Sequence, residues 1–153
     1  MFQRILVPTD GSVGSRNAAH AAIELAKVTG GSLVTVHVVP PVKPELLVGG
    51  MGEMMVPVPV EAPIEGAGAL TPEENDPALM DVESQARAAG VRVTSEQVAD
   101  FGAADAIMDF AQARQCDLIV MGAERYNALV ALLKGSTTQR VVAGSNVPVL
   151  VVH

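Results

Sequence analysis

The sequence predicts an α/β fold: a parallel sheet with helices packed on both faces. Two observations carry this. Short apolar runs alternate with segments whose apolar residues recur every three or four positions, the order of a chain of βα units. Two of the runs, 33–39 and 117–121, are almost continuously hydrophobic, as strands covered by helices on both sides must be. The chain has 153 residues, 49% of them apolar and only 3% aromatic, so it reads as one domain with an aliphatic core.

Each element has its own signal. Residues 3–8 (Gln3-Arg4-Ile5-Leu6-Val7-Pro8) form a short apolar run, and Thr9-Asp10-Gly11-Ser12 supplies turn residues behind it. From about 15 to 29, Ala18, Ala19, Ala22, Ile23 and Ala26 share one helical face, and Gly30-Gly31 stops the helix. The run 33–39 ends at Pro40-Pro41. A helix opens at Pro77 and runs to Ala89, with Gly90 as its stop. Residues 91–98 alternate only in part, which places them near a sheet edge. Further helices are expected over 103–115, 128–133 and 136–143, and further strands over 117–121 and 147–152. Right-handed crossovers then put any ligand beyond the carboxyl ends of the strands, after the first and fourth.

Residues 40–77 differ from the rest. They hold eight of the ten prolines, Met51, Met54 and Met55, and one base (Lys43) against seven acids, so nearly all of the net charge of −7 lies there. This is expected to be a flexible insertion in a single domain spanning 1–153, with a ligand lid or a partner-docking loop as the other reading.

Composition excludes several classes of function. A net charge of −7 repels nucleic-acid backbones, and with no Trp and one Tyr there is little to stack bases on. No apolar run approaches the ~18 residues of a membrane span, and no signal-peptide pattern precedes the first strand. A single cysteine, Cys116, fits a reducing compartment, so a cytoplasmic protein is expected. His20, His37 and His153 do not form a metal-type spacing with Cys116, and no motif beside Cys116 activates it as a nucleophile. Neither a nucleophile-elbow serine nor a Walker lysine motif is present, so no catalytic residue is named and robust ATP hydrolysis is not expected.

The chemistry-bearing segment follows the fourth strand. Gly122-Ala123-Glu124-Arg125 is followed, after nine residues, by Gly135-Ser136-Thr137-Thr138-Gln139. Glycine lets backbone approach a ligand, and a helix opening at Ser136 directs free N–H groups and a positive dipole end outward. Ser136 and Gln139 make a capping-box pattern. From Arg125 onward the chain carries Arg125, Lys134 and Arg140 and no acid, a cationic stretch suited to phosphate. The plain alternative is that Gly122 ends a strand and Ser136 caps a helix.

These pieces resemble the universal stress protein family. The matching segments are Arg4-Ile5-Leu6-Val7-Pro8-Thr9-Asp10-Gly11-Ser12, Val36-His37-Val38-Val39, Cys116-Asp117-Leu118-Ile119-Val120-Met121-Gly122, Gly135-Ser136-Thr137 and Asn146-Val147-Pro148-Val149-Leu150-Val151-Val152. Their order and spacing cover nearly the whole chain apart from the insertion. The resemblance implies a Rossmann-like five-stranded parallel sheet ordered 3-2-1-4-5 and, in the nucleotide-binding branch, bound ATP or another adenine nucleotide with Mg2+. Carried over, Pro8, Thr9 and Asp10 line the adenosine side, with Asp10 near ribose or magnesium, and the Val38 backbone pairs with adenine. Met121 and Gly122 pack the nucleotide; Gly135, Ser136 and Thr137 hold its phosphates.

The branch pattern is Gly, two residues, Gly, nine residues, Gly, then Ser or Thr; here Arg125 stands at the second glycine. Arginine there either strains or blocks the loop or offers its guanidinium to phosphate. For Asp10 a turn role, and for Val38 and Met121 a core role, stand beside the ligand role.

The expected function is an ATP-binding stress-response module whose occupancy gates an unidentified protein partner. A dimeric interaction protein that binds no nucleotide is the first alternative, and a slow ATPase the second. The family is often dimeric, and the uncharged edge strand 147–152 suits pairing of two copies.

Overall fold

The computed structural model describes residues 1–41, 76–123 and 137–153. Most of the 40–77 insertion and the helix expected over 128–133 lie outside the described residues. Five strands form one sheet: β1 (Arg4–Pro8), β2 (Ser32–Val39), β3 (Val93–Ala99), β4 (Leu118–Gly122) and β5 (Val149–Val152). All neighbouring pairs are parallel and the order is β3-β2-β1-β4-β5, which bears out the fold class and places 91–98 at an edge as expected. The described residues also form four helices: α1 (Val13–Thr29), α2 (Pro77–Ala88), α3 (Ala103–Ala113) and α4 (Thr137–Gly144).

Local chemistry sets the helix ends. Helix α1 begins two residues before the expected start because the Ser12 hydroxyl caps it, accepting from the Ser15 N–H at 3.2 Å. It ends at Gly30, whose φ of 68° is the left-handed cap that glycine adopts without a Cβ penalty. Helix α2 starts at the expected Pro77, with Asp76 capping it.

Alternation along the strands separates two cores. On one face Ile5, Val7, Leu33, Leu118 and Val120 pack under α1 and α2, against Ala18, Ala22, Ile23, Val82 and Ala86. On the other, Leu6, Val34, Val36, Ile119 and Met121 pack against Ile107, Phe110 and Ala111 of α3 and Val141 of α4. Three alanines of α1 lie fully buried on the sheet, so small side chains let this helix approach closely. Among the described residues no helix is long and apolar enough to cross a membrane.

The closest approach of helix to sheet is at Gly122. A Cβ there would lie 2.2 Å from the carbonyl carbon and oxygen of Gly14 and 2.8 Å from the Ser15 nitrogen. All three are backbone atoms of the first turn of α1, so no side-chain rotation relieves the clash. Gly122→Ala is therefore expected to cost about 3 kcal/mol in urea unfolding, near the upper end for overpacking. Gly30→Ala meets open space and should cost only about 1 kcal/mol, for its positive φ.

Candidate functional site

The sheet reverses its winding between β1 and β4, and there the carboxyl ends of β2, β1 and β4 lie side by side. β1 stops at Pro8, opposite Val36, whereas β2 runs on to Val39. The last main-chain bond between them is from the Thr9 N–H to the Val36 carbonyl, at 2.9 Å. Backbone groups alternate sides along a strand, so Val36 and Val38 face the β1 side, whereas Val39 faces β3, its carbonyl accepting from the Asp100 N–H at 2.9 Å. The N–H and C=O of Val38 therefore point to where β1 has left the sheet. Among the described residues nothing bonds them there, and a donor and an acceptor side by side match the Watson–Crick edge of adenine, which offers one of each.

The other sequence-expected residues gather at the same end. By strand parity Pro8, Val38 and Met121 belong to the face of α3 and α4, and Met121 is 5% exposed. Gly122 has a double role. It is the last residue of β4, its absent side chain makes room for Gly14, and its carbonyl accepts from the Thr138 hydroxyl at 3.0 Å. That bond ties the start of α4 to the end of β4 and brings Thr137, the first residue of the helix, to the site. Arg125, Gly135 and Ser136 lie outside the described residues.

The turn after β1 is largely occupied with itself. The Thr9 hydroxyl donates to Ser15 Oγ at 3.3 Å and accepts from the Gly11 N–H at 3.3 Å. Asp10 Oδ1 accepts from the Ser12 N–H at 3.0 Å, an Asx turn, as the turn reading of Asp10 expects. Partial burial alone would raise the Asp10 pKa, but the Ser12 hydroxyl and N–H and the Ser15 hydroxyl outweigh it and hold the carboxyl below its ordinary 3.8. The group stays exposed and anionic at the mouth of the site. Among the described residues no cluster of three or more His, Cys, Asp or Glu side chains forms a metal site. Cys116 is buried among apolar residues, and desolvation pushes its thiol up to about 11, the opposite of an activated nucleophile.

Sequence reasoning missed a cluster on the opposite face of the same strands. The Asp76 carboxylate, 5% exposed, lies 2.6 Å from His37 Nδ1 and accepts from Gln97 Nε2 at 2.7 Å and from the Ala78 N–H at 2.9 Å. Pro77 was legible as a helix start; Asp76 read only as an acid of the insertion, and its partners on β2 and β3 were not legible, because nothing local links positions 37, 76 and 97. Burial would raise the Asp76 pKa, but the His37, Gln97 and Ala78 hydrogen bonds and the His37 charge outweigh it and leave it lowered. A lowered carboxylate pKa stabilises the fold above the unfolded value of about 3.8, and that stability is lost as pH falls through the folded value. The deficit of Asp76→Asn relative to the unsubstituted protein, measured by urea unfolding, should therefore be full at pH 7 and shrink below pH 4.

Comparison with known proteins finds relatives over the whole chain. The model of the universal stress protein family matches residues 1–153. The universal stress protein MJ0531 of Methanocaldococcus jannaschii is 34% identical over 152 residues, covering 99% of this chain and 82% of that protein. Among solved structures, a universal stress protein in complex with cAMP superposes with a TM-score of 0.69 at 23% identity, covering 99% of this chain and 97% of its own. The universal stress protein of Archaeoglobus fulgidus in complex with dAMP gives 0.66 at 19% identity, covering 100% of both chains. At these identities the structures show a shared fold.

Proposed function

The chain belongs to the universal stress protein family, and from that premise we propose that it binds an adenine nucleotide at the carboxyl ends of β1, β2 and β4, as a regulatory module in stress response. The observation that carries the reading is the unpaired Val38 main chain beside the β1–β4 switch point. Relatives of the same fold in complex with cAMP and dAMP support it.

In this reading the base pairs with Val38 and packs on Pro8 and Met121, and the ribose lies near Thr9 and Asp10. The phosphates extend past Gly122 toward Gly135, Ser136 and Thr137, where the start of α4 favours an anion. Arg125 and Lys134 add positive charge to this stretch of sequence, whereas Arg140 is paired with Asp105 at 3.1 Å, and the reading extends to ATP with magnesium at Asp10. The role is binding and not turnover, since the sequence carries neither a Walker lysine motif nor a nucleophile elbow. Occupancy then signals to a protein partner in the cytoplasm, a location supported by the single reduced-type cysteine.

Heating the purified protein and chromatographing what it releases should yield an adenine nucleotide, and AMP or ATP with magnesium should raise the melting temperature of stripped protein. Arg125→Gly, which restores the loop glycine, should strengthen binding. No released nucleotide and no melting shift with either ligand would leave the dimeric interaction protein that binds no nucleotide as the better reading.

Assembly is the second part of the proposal: a homodimer through β5. Among the described residues that strand has β4 on one side only; the Pro148 carbonyl accepts from Ile119 of β4 and the Val152 carbonyl from Ala123 just after it, so by alternation Val149 and Val151 direct their backbone groups to the other side. Antiparallel addition of a second copy satisfies them about a twofold axis. Light scattering should give twice the 15.8 kDa chain mass, and Val151→Pro, which removes an outward N–H, should give the monomer.

A further inference from the structure

The base-binding edge is an overhang. Among the described residues, β2 from His37 onward is paired with β3 alone, itself the edge strand, through His37↔Gln97, Val38↔Val98 and Val39↔Ala99. A two-stranded ribbon without further support is marginal in water. On one face Val38 and Val98 pack on the core under α3, and on the other face a buried carboxylate ties the ribbon to α2. Asp76 Oδ1 accepts from the N–H groups of Ala78 and Leu79, at 2.9 and 3.4 Å, and so caps α2. Oδ2 goes instead to the ribbon, 2.6 Å from His37 Nδ1 and 2.7 Å from Gln97 Nε2. His37 and Gln97 are opposite each other in register, so a single oxygen staples both strands of the overhang to the helix. Their side chains face α2, whereas the neighbouring Val38 and Val98 pack with the core of the other face, where the site opens.

We propose that Asp76 is a positioning residue for base recognition: by stapling the β2–β3 overhang to α2 it holds the Val38 main chain where an adenine edge can pair with it. This rests on the nucleotide reading above, but the staple itself is testable without ligand. The two oxygens divide the two jobs, so Asp76→Ser, with one hydroxyl, keeps a good helix cap and loses the reach to His37 and Gln97. Asp76→Asn keeps the reach: its oxygen caps the helix, and its amide can donate to His37 Nδ1 and to a turned Gln97 carbonyl.

In the unliganded protein, exchange of the Asp100 amide, bonded to the Val39 carbonyl, should be about tenfold faster in Asp76→Ser, with Ile5 and Leu6 unchanged. With AMP as the probe, Asp76→Ser should bind about tenfold more weakly, the scale of one lost hydrogen bond. Inorganic tripolyphosphate, which has no base, should bind within about twofold of the unsubstituted protein, and Asp76→Asn should recover AMP binding to within about threefold. If Asp76→Ser does not fold, Gln97→Ala removes one leg of the staple and should give smaller changes in the same direction.

Unchanged exchange at Asp100 overturns the staple. Faster exchange with unchanged AMP affinity overturns its role in recognition, as does equal loss of AMP and tripolyphosphate, which marks general loosening. Faster exchange in a protein that binds no AMP even when unsubstituted leaves the staple standing as structure, and rejects both the positioning role and the nucleotide reading.

Discussion

One mismatch in strand length underlies the site. β1 ends at Pro8, and its last bond to β2 reaches Val36, three residues short of the end of β2. The turn behind Pro8 is held by Thr9, Asp10, Ser12 and Ser15 bonding among themselves, which carries the chain away from β2 after the Thr9 N–H. Among the described residues the donor and acceptor of Val38 are thereby left without a partner on the β1 side. Had β1 continued, that edge would be an ordinary strand ladder.

The surroundings keep the opening from closing by other means. On the β4 side, Gly122 lets the first turn of α1 come into backbone contact, which fixes where the Asp10 turn sits relative to the end of β4. The Thr138 hydroxyl on the Gly122 carbonyl fixes the start of α4 at the same place. On the β3 side, Asp76 holds the overhang from behind. Two helix starts and a buried carboxylate thus converge on one end of the sheet, and each is set by a contact between elements distant in sequence.

The fold was largely legible because its signals are local and periodic. The alanine face of α1, the continuous apolar run of β2 and the Gly and Pro punctuation each predict an element, and the resemblance implied the strand order that the structure has. The residues at the mouth of the sheet were legible in position but less so in role. Gly122 reads in sequence as backbone made bare for a ligand; in the structure the space beside it belongs to Gly14, a partner 108 positions away that no local pattern announces. Asp76 reads as one more acid at the end of an acidic insertion, and its joining of His37 to Gln97 emerges only when β2 and β3 pair. Periodicity reports burial and local geometry; side-chain contacts across the sheet depend on register, which the order of strands decides.

Whether the Val38 edge recognises an adenine base is read from a titration of 15N-labelled protein with AMP, followed by amide resonances. The largest displacement is expected at the Val38 N–H, with smaller ones at Asp10, Met121 and Gly122 and none at Val82 or Val93 on the far side of the sheet. Saturable binding that leaves the Val38 resonance in place would contradict it.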